Sequence, residues 1–154
     1  MRINASEERR IFWGKYDEEL IRNGEPFKLL HQKGSEVTFW ANVNKKKSLV
    51  DLSLSADFLI QKEILRINIY IRKDINLYDY LFSKKDEIEK QLGFSPIWND
   101  NCKSPDARRI EVVLGFQAGD REDYDRLIEV SLPIMYRFKQ VFEKYIPGLF
   151  DFEI

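Results

Sequence analysis

The chain contains almost none of the residues on which the common catalytic and metal sites depend. Among its 154 residues there is one cysteine, Cys102, and one histidine, His31. A single cysteine forms no internal disulfide and cannot supply a thiolate cage for a metal ion. His31 lies in a polar stretch, and we interpret it as a solvated loop residue. Cys102 is next to Lys103 but has no obvious base near it in the sequence, so we interpret it as incidental.

Long apolar runs and glycine-rich loops are also absent. No stretch approaches the ~20 apolar residues of a membrane-spanning helix, and the first residues lack the apolar run of a signal peptide. We therefore expect a cytoplasmic protein that makes no contact with a membrane. The seven glycines are scattered, and they match neither the dinucleotide-binding spacing nor the P-loop spacing. No cofactor is expected on this basis.

Neither sign of charge is in excess. The chain has 25 basic and 26 acidic residues, which gives a net charge of −1. Domains that hold duplex DNA mainly by neutralising its phosphates are usually basic overall. The balance therefore argues against that class of protein, although it is compatible with a local basic patch.

The residues that are present predict one folded domain. A chain of this length is the size of an ordinary domain, and 44% hydrophobic and 14% aromatic residues are enough to fill its core. We find no repeat, no low-complexity tract and no linker. We therefore treat residues 1–154 as a single domain.

Apolar and polar residues alternate along three consecutive segments, 37–44, 50–57 and 65–72. This period of two is typical of antiparallel strands with one buried face. Two further strands are predicted, one around Ile97 and one over residues 110–116. The segment 26–30 is ambiguous, and a short extended piece is compatible with it. The fold class is therefore α+β, with a mainly antiparallel sheet of five strands.

Three helices complete the pattern, and the predicted order is α-βββ-α-ββ-α with the helices mainly on one face of the sheet. The first helix begins at an N-cap, Ser6, and ends at Asn23-Gly24. The second is predicted over residues 75–92, between Asp74 and Gly93, and the third runs from Asp120 to about Tyr145. Pro133 lies inside the third helix, where it removes a backbone hydrogen bond, so we predict a kink or break there.

Matching apolar residues across the two hairpin loops predicts the register of the first three strands. Phe39 is placed opposite Leu54, and Leu54 opposite Ile67. This register brings the polar residues of all three strands onto one common face. Two aromatic rings and two arginines among amides on such a face are able to stack a base and hold a phosphate. The candidate binding residues are Trp40, Asn42, Arg66, Asn68, Tyr70 and Arg72.

The same register leaves other interpretations of this face open. Asp57 is placed diagonal to Arg66, and Asp51 diagonal to Arg72, so the charges are also able to pair with one another across strands. Trp40 also fits a position buried under the first helix. In either case the face is structural rather than functional.

One sequence pattern resembles a metal-dependent nuclease site. Asp106 and Glu111 are spaced like the two carboxylates that hold a divalent ion in such sites, where a lysine assists the attacking water. Val113 stands where that lysine is needed. We therefore interpret Asp106 as a turn residue and predict neither a metal site nor catalytic residues.

Short motifs along nearly the whole chain resemble one family in their order and spacing. The chain is similar to the bacterial and archaeal family called domain of unknown function 4268. The motifs are Arg10-Ile11-Phe12-Trp13, Pro26-Phe27, Val43-Asn44, Leu49-Val50-Asp51-Leu52, Leu92-Gly93, Ile97-Trp98, Arg109-Ile110 and Asp120-Arg121-Glu122-Asp123.

The resemblance implies a context rather than an activity. Members of that family occur alone or at the C-terminus of nuclease-like domains, which associates them with nucleic-acid processing or defence against foreign DNA. The family provides no active site to transfer to this chain. We therefore expect a non-catalytic binding or accessory domain, whose partner is a nucleic acid or a nuclease-like protein. An enzyme with an undetected carboxylate metal site, and a structural or oligomerisation module, are the alternatives.

Overall fold

The computed structural model describes residues 3–23, 28–30, 38–42 and 51–146, with only the backbone for 28–30, 38–42 and residue 51. The elements in chain order are α1 (Ala5–Arg22), β1 (Lys28–Leu30), β2 (Thr38–Asn42), β3 (Asp51–Leu59), β4 (Ile64–Arg72), α2 (Ile75–Ser83), α3 (Lys85–Leu92), β5 (Ile97–Asn99), β6 (Ala107–Gly115) and α4 (Arg121–Tyr145).

The strands form an antiparallel sheet in the order β1-β2-β3-β4-β6-β5. The predicted α+β class with an antiparallel sheet is confirmed. The predicted count of five strands is wrong. Four strands, β3 to β6, are described with their side chains, and β1 and β2 extend the sheet beyond β3. β1 has only three residues, too few to show a clear alternation in the sequence.

The predicted second helix is in fact two helices, which corrects the predicted order of elements. α2 ends at Ser83 and α3 begins at Lys85. At the junction the N–H of Lys84 donates to the carbonyl of Leu81 at 2.9 Å, a bond three residues back instead of four. Such a tightened turn ends an α-helix.

Capping residues bound α1, α2 and the end of α3, with one difference from the prediction. The side chain of Asn4, not Ser6, caps α1, and its Oδ1 accepts a hydrogen bond from the N–H of Glu7 at 3.2 Å. Asp74 caps α2, as predicted. Gly93 follows α3 with a φ of 82°, a left-handed conformation that glycine adopts without steric cost.

The register of the strands differs from the prediction by two residues. Leu54 lies opposite Ile69 rather than Ile67, and Ala41 rather than Phe39 lies opposite Leu54. In the β3–β4 hairpin Leu59 pairs with Ile64, so the centre of the turn lies one residue later than predicted. A shift of two residues leaves every side chain on its predicted face.

The core lies on one face of the sheet. Phe12 of α1 stacks on Phe58 of β3, with ring centroids 4.1 Å apart and planes at 11°, and Tyr124 of α4 meets Phe58 edge to face at 5.4 Å. Trp98 of β5 contacts Tyr78 of α2 and donates through Nε1 to Glu89 of α3. All four helices therefore contact residues of the same sheet face, the arrangement that the sequence predicted.

Of the kink or break predicted at Pro133, the break is wrong, since α4 continues from Arg121 to Tyr145. Pro133 cannot donate to the carbonyl of Glu129, but both residues are exposed, so water is able to replace that donor. The neighbouring Leu132 and Met135 are buried in the core. Packing on both sides of the proline thus holds the two halves in one helix.

Candidate functional site

The face of the sheet that points away from the helices is polar. Alternate residues of β3, β4 and β6 lie on it, because side chains alternate between the two faces of a strand. We call it the polar face. Its described members on these strands are Ser53, Ser55, Asp57, Leu59, Ile64, Arg66, Asn68, Tyr70, Arg72, Ala107, Arg109, Glu111, Val113 and Gly115.

The structure places four of the six candidate residues from the sequence on this face. Arg66, Asn68, Tyr70 and Arg72 occupy successive outward positions along β4. Trp40 and Asn42 belong to β2, where the backbone of Asn42 pairs with Ser53. The side chains of Trp40 and Asn42 lie outside the described part of the chain. The two interpretations of Trp40, exposed on the polar face or buried under the first helix, both concern a side chain that is not described.

Asp57 is the centre of a charged network on the polar face. Its side chain is 5% exposed, and its Oδ2 accepts from Nε of Arg66 at 3.0 Å and from Nδ2 of Asn68 at 3.3 Å. Nη2 of Arg66 lies 3.0 Å from the same oxygen, and Nη1 of Arg109 lies 3.7 Å from it. The two-residue shift of register produces this arrangement, because it places Asp57 directly opposite Arg66 instead of diagonal to it. One carboxylate therefore contacts two guanidinium groups.

Asn68 and Tyr70 fix the position of Arg109. Asn68 is fully buried, and its Oδ1 accepts from Nη1 of Arg109 at 2.9 Å. The guanidinium of Arg109 lies over the Tyr70 ring, 4.5 Å from its centroid, at the distance of a cation–π contact. One face of Tyr70 is therefore covered by Arg109, so a base is able to stack only on the other face.

The loop between β5 and β6, residues 100–106, borders a groove on the polar face with a volume of about 490 Å³. The described charged side chains that line this groove are all cationic: Lys62, Arg66, Lys103 and Arg109. The other lining residues are Leu59, Tyr70, Asn99, Asn101, Cys102, Ser104 and Ala107. The groove thus has a positive lining in a chain whose net charge is −1.

Local hydrogen bonds hold this loop in place. The backbone N–H of Asn101 donates to Oδ1 of Asn99 at 2.9 Å, and the N–H of Lys73 donates to the carbonyl of Asp106 at 3.0 Å. The hydrogen bond from Ser104 and the charge of Arg72 lower the pKa of the Asp106 carboxyl. Asp106 therefore acts as a turn residue in this structure.

The thiol-bearing residue Cys102 lines the groove. Removal of the thiol from water raises its pKa above the ordinary value, although the charge of Arg109 acts in the opposite direction. Its Sγ lies 3.7 Å from the carbonyl oxygen of Asn99. The residue that the sequence presented as incidental therefore lines the candidate site.

Glu111 lies beside the charged network but takes no part in it. The residue is 8% exposed, and its Oε2 is buried without a hydrogen-bond partner among the described residues. On the neighbouring strands it lies opposite Asn68 and Ile97. Within the described residues, no group of three or more histidine, cysteine and acidic side chains is arranged to hold a metal ion.

The sequence prediction did not bring Asp57, Arg109 and Glu111 together on one face of the sheet. The alternation of polar and apolar residues already places Asp57 on the same face as Arg66. It also places Arg109 and Glu111 on the face of β6 that points away from the apolar Ile110. The order of strands was lacking, because nothing local to a strand shows that β6 rather than β5 lies next to β4.

The fold and the site together define an α+β protein with a basic groove on the open face of an antiparallel sheet. The sequence matches the family described as Domain of unknown function (DUF4268) over residues 8–146. The chain belongs to this family, which confirms the resemblance. No curated protein and no solved structure matches the chain. None of the helices in the described part has an apolar stretch long enough to cross a membrane.

Proposed function

We propose that this protein is a non-catalytic binding domain whose groove holds the backbone of single-stranded nucleic acid. One observation carries the proposal: every described charged side chain that lines the groove is cationic, although the chain as a whole is slightly acidic. Single-strand binders combine such a positive groove with an aromatic side chain on which a base stacks. Tyr70 supplies the aromatic ring here.

The arginines and lysines of the groove have different roles in this proposal. A guanidinium has five N–H donors, and Arg66 and Arg109 direct only one or two of them at Asp57 and Asn68. The remaining donors are held in fixed positions for a phosphate. Lys62 and Lys103 are exposed and have no partner among the ion pairs of the described residues, so they add two further positive charges to the groove.

A single strand fits this site better than a duplex does. The groove is bordered on one side by a loop, and its charged residues come from two strands, a hairpin turn and that loop. A duplex is held mainly by many contacts to its phosphates. The four cations of this groove, which lie beside a buried carboxylate, are too few to make many such contacts. The two alternatives from the sequence, a metal-dependent enzyme and a structural module, have no specific observation in their favour.

The paired change Lys62→Ala and Lys103→Ala is expected to weaken the binding of single-stranded oligonucleotides without unfolding the domain, because both side chains are exposed. If each lysine neutralises one phosphate, the slope of log K against log salt becomes less steep by about 1.4. Fluorescence anisotropy with a labelled oligothymidylate at several salt concentrations measures this slope.

A matched control is the paired change Lys84→Ala and Lys90→Ala, which removes the same charge from exposed positions at the two ends of α3. This control should retain the slope of the unmodified protein. The proposal is overturned if the unmodified protein fails to bind the oligonucleotide at low salt, or if the two double variants give the same slope.

A further inference from the structure

Arg66 and Arg109 converge on one point of the groove. Both guanidinium groups approach the same atom, Oδ2 of Asp57, with one nitrogen of each 3.0 and 3.7 Å away. Arg66 directs Nε and Nη2 at this oxygen, and Arg109 directs Nη1 at Oδ1 of Asn68. A guanidinium has five N–H donors. Each arginine therefore keeps several donors without a partner among the described residues, at the wall of a groove that both of them line.

Two guanidinium groups at one place distinguish between the two kinds of phosphate that a strand contains. A phosphate inside the strand is a diester, with one negative charge and one pair of oxygens outside its ester links. A phosphate at the end of the strand is a monoester, with three such oxygens and about 1.5–2 negative charges at neutral pH. A guanidinium binds a pair of oxygens through two parallel hydrogen bonds. Two of them are thus able to hold different pairs of oxygens on one monoester, but not on one diester.

The charge and the size of the groove also match a strand end. Its four cations are opposed by two buried carboxylates on the polar face, Asp57 and Glu111, which leaves an excess of two positive charges. This excess is close to the charge of one monoester. The volume of about 490 Å³ lies in the range of sites for single small molecules, about 300–1,000 Å³. Such a site suits a terminal nucleotide better than a long stretch of backbone.

We propose that the groove binds the terminal phosphate of a single strand between Arg66 and Arg109. This inference rests on the proposed function, since it assumes that the groove holds single-stranded nucleic acid. The ligand class is a phosphomonoester at a strand end, which a 5′-phosphate or a 3′-phosphate supplies. The terminal base stacks on the face of Tyr70 that Arg109 leaves open.

Three hexathymidylates that differ only in their ends test this inference. One has a 5′-phosphate, one has a 3′-phosphate, and one has hydroxyl groups at both ends. A strand lies in a chiral groove in one direction, so only one of its ends reaches the arginines. We expect one phosphorylated strand to bind about tenfold more tightly than the hydroxyl-ended strand, the effect of about one further charge-assisted hydrogen bond. Competition against a labelled oligothymidylate, followed by fluorescence anisotropy, measures the three affinities.

The second phosphorylated strand is the control for charge. It carries the same net charge as the first, so any general attraction to a basic surface strengthens the binding of both strands equally. Its affinity should therefore lie much closer to that of the hydroxyl-ended strand.

The variant Arg109→Gln removes one of the two guanidinium groups. The preference for the phosphorylated end should fall close to one, because a single arginine holds a monoester and a diester alike. Arg137→Gln, at an exposed position on α4, is the matched control and should keep the preference of the unmodified protein. If Arg109→Gln does not fold, the comparison of the three strands on the unmodified protein still decides the question.

The outcomes separate this inference from the proposed function. Equal affinity for the three strands, or an equal gain from both phosphates, overturns the recognition of a strand end and leaves the groove as a general site for a single strand. A preference that survives in Arg109→Gln also overturns it, since the terminal phosphate must then bind elsewhere. If none of the three strands binds, the proposed function fails and this inference fails with it.

Discussion

Replacing Phe12 with alanine is expected to lower the free energy of unfolding by about 3–5 kcal/mol. Phe12 is fully buried. Its ring stacks on that of Phe58, and the ring of Tyr124 meets the Phe12 ring edge to face, with centroids 5.8 Å apart. The change removes a ring that packs α1 against both the sheet and α4, and it leaves a cavity that the surrounding rings fill only partly. Urea unfolding followed by circular dichroism measures the loss.

Ile21→Ala on the same helix is the matched control, because Ile21 is 72% exposed. It should change the free energy of unfolding by no more than about 0.5 kcal/mol. Similar losses for the two variants would show that Phe12 does not hold α1 in the core described above.

Replacing Asp57 with alanine should be similarly destabilising, by about 3–5 kcal/mol. The side chains of Arg66 and Arg109 are only 18% and 21% exposed, so the change leaves two largely buried cations without the carboxylate that both of them contact. Asn68 also loses an acceptor for its Nδ2. Urea unfolding at neutral pH measures the effect.

Asp125→Ala tests whether the burial of the network causes this loss. Asp125 forms an ion pair with Lys15 at 2.8 Å, but the two side chains are 62% and 34% exposed. Exposed pairs contribute about 0–1 kcal/mol, so this variant should unfold almost like the unmodified protein. Equal losses for Asp57→Ala and Asp125→Ala would contradict the view that Asp57 holds a buried network.

The faces of the strands were predictable from the sequence, whereas the pairs of residues across them were not. Alternation assigns each side chain to a face, and an error of two residues in register does not alter that assignment. The same error changes which charges meet, so Asp57 was placed diagonal to Arg66 instead of opposite it. The predicted polar face was therefore right where it is described, while its central ion pairs were missed.

The groove depends on tertiary packing that no local pattern contains. Residues 99–108 have the composition of a polar loop, and the sequence predicts them as such. Residues 101–104 among them line the groove together with Arg66 and Tyr70 of β4, and the order β4-β6-β5 that brings them near β4 is set by tertiary packing. Pro133 is a similar case, since its local preference is to end a helix while the packing of Leu132 and Met135 keeps the helix continuous.

The buried charges on the polar face are themselves informative about function. Replacing a buried ion pair with apolar residues is often neutral or stabilising, so stability alone does not require Asp57, Arg66 and Arg109. Their arrangement does fix two guanidinium groups beside a groove whose described charged residues are all basic. This is the pre-organisation that a phosphate-binding site needs.

Protection of Cys102 tests most directly whether nucleic acid occupies this groove. Cys102 is the only cysteine of the chain and lines the groove, so the rate of its alkylation by N-ethylmaleimide, an uncharged reagent, reports on that place alone. Saturating oligothymidylate, with saturation confirmed by anisotropy, is predicted to slow the alkylation severalfold. An unchanged rate with the oligonucleotide fully bound would place the nucleic acid elsewhere on the protein and contradict the account.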